Sequence, residues 1–157
     1  MEPEITEKPE ITLVGIVGCG SDVTDLDILG LWQRFDTHEK QIQHRVEGTY
    51  YEVHIQEETS PPLHFGLMGM AVERIEDLPV ELFVKVLPAA AYAQFTHRLT
   101  DGDFGSAFQA VYDWIESSDY VPAHQYDVQV YDERFKGPED PESVLEILVP
   151  VVPKVDG

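Results

Sequence analysis

Positive charge is scarce in this sequence: ten lysines and arginines stand against thirty aspartates and glutamates, a formal net charge of −20. Binding a nucleic-acid backbone depends on Lys and Arg displacing counterions from phosphate. A surface of this charge repels phosphate, so direct nucleic-acid binding is not expected. The same acidic field can draw in cationic ligands, although most of the acids need no role beyond solubility. Cysteine is nearly absent as well. Cys19 alone forms no internal disulfide and suits a reducing compartment. In Gly18-Cys19-Gly20-Ser21 it has no neighbouring base. The spacing fits neither a dinucleotide fingerprint nor a P-loop, and a small residue closing a strand is the expected role. No run of about eighteen apolar residues occurs, which excludes a membrane-spanning helix. The opening Met1-Glu2-Pro3-Glu4 has neither the basic nor the apolar region of a secretory signal. A cytoplasmic protein without membrane association is expected.

What remains is an ordinary globular balance: 157 residues, 43% of them hydrophobic, enough for one domain with a sizeable core. Residues 1–9 are acidic, carry Pro3 and Pro9, and are expected to fray. A strand is predicted over 11–17, a helix over about 26–35, and strands over 50–56 and 63–72 after Pro61-Pro62. The first helix is expected to bury Ile28, Leu29, Trp32 and Phe35. Strands are then predicted over 82–87 and 91–97, a helix over about 104–116, and strands over 126–131 and 144–149. Phe104, Phe108, Val111 and Ile115 form the core stripe expected of that second helix. A short tail from 153 completes the chain.

The element order repeats, and so do the residues. Pro9 and Pro88 are 79 positions apart, and the same offset pairs Leu13 with Tyr92, Ile16 with Phe95, Leu29 with Phe108 and Phe35 with Trp114. Past the helices the offset is 75, matching Tyr51-Glu52-Val53-His54-Ile55 with Tyr126-Asp127-Val128-Gln129-Val130. Two tandem β-α-β-β units, over about 10–75 and 80–152, are the simplest account.

Four segments carry a resemblance. Residues 88–97 (Pro-Ala-Ala-Ala-Tyr-Ala-Gln-Phe-Thr-His) are similar to the opening of the second repeat of GyrI-like domains, the effector-binding family found in AraC-type regulators. So are Tyr112-Asp113-Trp114-Ile115, Tyr131-Asp132-Glu133-Arg134-Phe135 and Leu145-Glu146-Ile147-Leu148-Val149-Pro150. The resemblance spans roughly residues 10–152. It implies an α+β fold of two pseudo-symmetric β-α-β-β repeats with a curved antiparallel sheet and two main helices. It also implies a ligand cleft between the repeats, lined by aromatics and one acid. The regulators' helix-turn-helix segment is lacking here, which speaks against direct transcription control. No haem ligand carries over from the distantly related SOUL proteins.

Glu146 is the most informative side chain, a single charge among Val144, Leu145, Ile147, Leu148 and Val149. A carboxylate there loses hydration unless a partner restores it. Either it anchors a cationic ligand in a pocket or its strand edge faces water; the resemblance favours the pocket. With no ligand bound its charge is expected to be unpaired, so Glu146→Gln is expected to be no less stable than the wild type. Trp32, Tyr51, Tyr92, Tyr112, Trp114 and Tyr126 are the aromatic candidates for stacking and cation–π contact, against the commoner role of aromatics as core. Arg134 is expected to pair with Asp132 or a neighbouring acid. The six histidines show no metal-ligand spacing, and neither metal nor cofactor is expected.

The function these residues support is binding of a hydrophobic, aromatic or cationic small molecule, as a stand-alone sensor or sequestering protein. Two alternatives use the same features. One is a hydrolase of strained, cyclopropane-type rings, with Glu146 and a tyrosine activating water; the other is inhibition of a protein partner, as in gyrase inhibitors. The residues do not choose between binder and hydrolase.

Overall fold

The computed structural model describes residues 2–155. Its elements in chain order are β1 (Glu4–Lys8), β2 (Ile11–Gly20), α1 (Ile28–His38), β3 (Tyr50–Glu57), β4 (Leu63–Ala71), β5 (Phe83–Leu87), β6 (Ala90–Arg98), α2 (Phe104–Ser117), β7 (Tyr120–Pro122), β8 (Tyr126–Tyr131) and β9 (Val144–Pro153). The fold is α+β with antiparallel strands and two main helices, in two compact units: residues 10–88, and residues 89–157 with 1–9. No helix among the described residues is long and apolar enough to cross a membrane.

In the first unit the strand order is β3-β4-β2-β5. Alternation along β2 and β4 sends Val14, Ile16, Met68 and Met70 to one face, where Leu31 and Phe35 of α1 close the core. Burying each such side chain stabilises by about 1.5–3 kcal/mol. The opposite face carries Val53, Ile55, Leu67 and Val17, aligned by register. Gly15 and Gly69 face each other across β2 and β4. A Cβ on Gly15 would fall 2.1 Å from the Met68 carbonyl oxygen, so glycine permits the close approach of these strands.

The helix begins later than the pattern predicts. Asp22 caps a separate single turn over Val23–Asp25, and Asp27 then caps α1 through the Gly30 N–H at 3.0 Å. The buried face is consequently set by Leu31 and Phe35, while Leu29, expected inside, is 67% exposed.

In the second unit β1-β6-β9-β8 form the sheet path and β7 pairs with β9. Asp103 caps α2 through the Ser106 N–H at 2.7 Å. Ala107, Val111 and Ile115 are buried on Ala93, Leu145, Ile147, Val149 and Val151, with Phe108 packed alongside. Phe104, expected in the core stripe, is 37% exposed and lays its ring against His97 at the end of the helix.

The expected frayed tail over 1–9 is, in its described part, a strand. Glu4–Lys8 pair antiparallel with β6, because Pro3 and Pro9 flank the strand and take no ladder position inside it. β5, predicted to open the second repeat, pairs with β2 of the first unit. The 79-residue offset explains both: Glu4–Lys8 and Phe83–Leu87 are equivalent positions. Each repeat begins with a strand that joins the sheet of the other. At the carboxy end β9 extends to Pro153, and the Lys154 N–H donates to the Asp119 carbonyl at 2.8 Å. Of the expected tails, residues 1, 156 and 157 lie outside the described residues.

Candidate functional site

Strand β9 sorts its side chains by parity. Leu145, Ile147, Val149 and Val151 enter the core beneath α2, so Glu146 and Leu148 point to the other, helix-free face. Glu146 lies between Thr96 of β6 and Val130 of β8, and is 8% exposed. Two positions along is Leu148, paired with Gln94 and Val128, and then Pro150, paired with Tyr92. Tyr92, Gln94, Thr96, Glu146 and Val128 thus share one face of three adjacent strands.

The carboxylate is held, not free. Thr96 Oγ1 lies 2.9 Å from both of its oxygens and donates its proton between them. Arg134 Nη2 donates to Glu146 Oε1 at 2.9 Å and to Asp132 Oδ2 at 2.9 Å, while Arg134 Nε donates to Asp132 Oδ1 at 3.0 Å. Asp132, reached first by these side-chain hydrogen bonds, is held below the ordinary carboxylate range. The guanidinium is pushed above its ordinary value by its bonds to Asp132 and then Glu146. The expectation of an unpaired charge at Glu146 is therefore overturned: Arg134 serves both acids, and the sequence distance of 12 residues hid the second of them.

Two of the anticipated aromatics stand further along the same sheet face, Tyr92 four residues from Thr96 on β6. Tyr92 and Tyr126 place their hydroxyl oxygens 2.9 Å apart, with rings edge-to-face at 6.5 Å, and His124 stacks on Tyr126 at 5.6 Å. Burial, then the Tyr126 hydrogen bond, pushes the Tyr92 phenol well above its ordinary range; burial also raises Tyr126. Tyr112 and Trp114 stand elsewhere. Both are on α2, across the sheet from Glu146, with Trp114 packed against the core and Tyr112 Oη donating to Asp127 Oδ2 at 3.4 Å.

The remaining two candidates belong to the other unit. Tyr51 is half-buried on the helix-free face of β3, its phenol raised by burial. Trp32 is on the helix side, edge-to-face with Phe35 and Tyr50, and its indole N–H donates to Glu52 Oε1 at 2.8 Å. That bond begins a buried polar chain which the sequence reading missed. Glu52 Oε2 lies 2.7 Å from His54 Nε2, His54 Nδ1 lies 2.8 Å from His64 Nε2, and His64 Nδ1 lies 3.1 Å from Gln56 Oε1. His64 is held below its ordinary value by burial and then by the charge of His54. The available signal was the spacing of Glu52 and His54, two apart on a strand and so on one face.

A recess of about 470 Å³ opens beside α1, lined among others by Gly18, Cys19, Asp25, Leu26, Asp27 and Arg34. None of the anticipated aromatics or Glu146 lines it. Among the described residues no group of three His, Cys, Asp or Glu side chains is placed to hold a metal ion.

Each of the two units is an antiparallel sheet with one main helix, and the second carries an acid and tyrosines on its helix-free face. The chain belongs to the GyrI-like small molecule binding domain family, whose sequence profile matches residues 1–152. It is 30% identical over 154 residues to the transcriptional regulator BrlR of Pseudomonas aeruginosa, covering 96% of this chain and 56% of that protein. The chain thus spans about half the length of the curated relative it matches. Among solved structures, SAV2435 bound to tetraphenylphosphonium superposes with a TM-score of 0.74 at 17% identity, over 97% of this chain and 94% of that one. The EcmrR C-terminal domain gives 0.73 at 14% identity, over 98% of both chains. At these identities the structural likenesses establish the fold.

Proposed function

We propose that this chain binds hydrophobic aromatic cations on the face carrying Glu146, Tyr92 and Tyr126, as a sensor or sequestering protein. The observation that carries the reading is a carboxylate, 8% exposed, on the same helix-free sheet face as the Tyr92–Tyr126 pair, four strand positions along from it. Tyr126 offers apolar area and a ring for a flat or charged ligand, and the buried Tyr92 holds it through the hydroxyl pair. Glu146 supplies the charge. Its counterion is open to solvent: Arg134 is 42% exposed and keeps Asp132 if it lets Glu146 go. A ligand cation takes over the Arg134 position at Glu146, which limits desolvation because the acid exchanges one partner for another. The bound structure of SAV2435 supports the choice of tetraphenylphosphonium as probe.

Titration calorimetry of tetraphenylphosphonium and of neutral triphenylphosphine oxide separates charge from shape. Glu146→Gln should weaken the cation by about 1–3 kcal/mol and the neutral analogue far less. Equal affinity of wild type and variant for the cation would sink the assignment. For strained-ring compounds, recovery of a product heavier by one water would move the reading to hydrolysis.

A further inference from the structure

Two strands at equivalent repeat positions end their sheets, and they are dressed differently. β1, Glu-Ile-Thr-Glu-Lys, pairs only with β6, and carries charge at three of its five positions. β5, Phe-Val-Lys-Val-Leu, pairs only with β2, and carries one. Unpaired edges invite a further strand unless charge, proline or a bulge blocks them. β1 is blocked in this way; β5 carries Lys85 alone and is blocked far less.

The β5 side chains stand in water on both faces. Phe83 is 54% exposed, Val84 45% and Val86 46%, and Val80 just before the strand is 91% exposed. Beside them on the sheet an apolar pocket of about 160 Å³ is lined by Val17, Ile55, Phe65, Leu67, Phe83 and Val84, among others. An added strand gains main-chain hydrogen bonds from an edge and specificity from pockets for alternate side chains. This edge offers both. Among the described residues no strand pairs with its outer side.

Charge selects the occupant. Acids stand at both ends of the edge, Glu81 just before β5 and Glu10 next to Ile11, the residue paired with Leu87, with Lys85 as the one charge between them. A second copy of this chain would bring another −20 against them. We infer that β5 is a docking edge for an extended protein segment of alternating apolar residues with Lys or Arg at its ends, added as a further antiparallel or parallel strand. The partner is a cationic β-forming segment, and the site is separate from the ligand face around Glu146.

The test uses the whole chain and three blocked, fluorescein-labelled heptapeptides at physiological salt. The parent is Arg-Val-Thr-Val-Thr-Val-Arg; the second is N-methylated at both threonines; the third has glutamates in place of the arginines. Anisotropy should show saturable binding of the parent, weakened about tenfold or more by N-methylation, which removes ladder hydrogen bonds and keeps the charge. The glutamate peptide should bind more weakly still. Val84→Thr/Val86→Thr, close in shape, should weaken the parent about fivefold or more with the thermal midpoint and tetraphenylphosphonium binding retained. Should that pair of substitutions unfold the protein, amide exchange on wild type replaces it: the parent peptide should slow exchange across β5, and unchanged exchange there would refute the docking edge. Equal binding of parent and N-methylated peptides would mean charge attraction alone and overturn the inference. So would absence of binding, or a β5-dependent dimer seen by sedimentation, which would assign the edge to a second copy.

Discussion

Arg134 donates from Nη2 to Glu146 Oε1 over 2.9 Å, bringing a loop cation onto a strand acid that is 8% exposed. The acid is therefore electrically balanced by the protein itself, and a cationic ligand enters as a competitor. Replacing Arg134 with Ala removes that competitor and leaves Glu146 with Thr96 alone. Affinity for tetraphenylphosphonium should rise, by about fivefold if the half-exposed pair is worth about 1 kcal/mol. Calorimetry on the purified variant measures this. Unchanged or weaker binding would show that the cation does not occupy the Arg134 position.

The same pairing reverses the stability expected of Glu146→Gln in the absence of ligand. Loss of the charge removes one partner of Arg134, so the variant should be destabilised by about 1 kcal/mol. The neutral outcome that an unpaired acid would give is not expected. Urea unfolding with a common m-value decides between them.

Acid should loosen this region through Asp132. Its carboxyl is depressed in the folded protein, foremost by the Arg134 hydrogen bond, below the ordinary value of 3.8. A depressed acid contributes stability that is fully present above the unfolded pKa and is lost as pH falls through the folded one. Wild-type stability should therefore drop below about pH 4. Asp132→Asn should be less stable at neutral pH, with the gap closing in acid. A pH-independent gap would mean that Asp132 acts by shape alone.

The element order, both long helices and the two-repeat plan were legible because they rest on local periodicity and on repeated residues. The first strand, β1, and the short β7 were not. β1 looked like a tail since its partner, β6, lies more than eighty residues away, and no local pattern announces a strand exchanged between repeats. Glu146 was recognised because one charge in an apolar strand is a local anomaly. Arg134 was seen as a loop anchor for an acid, but its bond to Glu146 depends on how the Asp132 turn folds back over β9. Tyr112 and Trp114 were drawn in by their chemistry, and only strand parity shows that α2 is on the opposite side of the sheet.

Duplex DNA should not be retained. With −20 formal charge, the chain lacks the cationic surface that counterion release requires. Gel retardation of a labelled duplex at physiological salt by the purified chain, with salt varied, checks this. A retained complex that weakens steeply with salt would contradict it.

The buried chain from Trp32 through Glu52, His54 and His64 to Gln56 makes the last prediction, a pH dependence near neutrality. His64 is lowered from its ordinary value of 6.5, by burial first and by His54 second. Between its folded and unfolded pKa values the unfolded chain binds the more protons, so stability rises with pH there and is lost as pH falls. His64→Gln keeps a polar group but does not titrate. At pH 7.5 the substitution should cost about 1 kcal/mol for the disturbed hydrogen bonds. At pH 5.5 wild type has lost part of its advantage and the gap should narrow. Urea unfolding of both proteins at the two pH values reads the difference directly. Parallel loss in the two proteins would place the pH dependence on another histidine and leave this chain a fixed structural brace between α1 and its sheet.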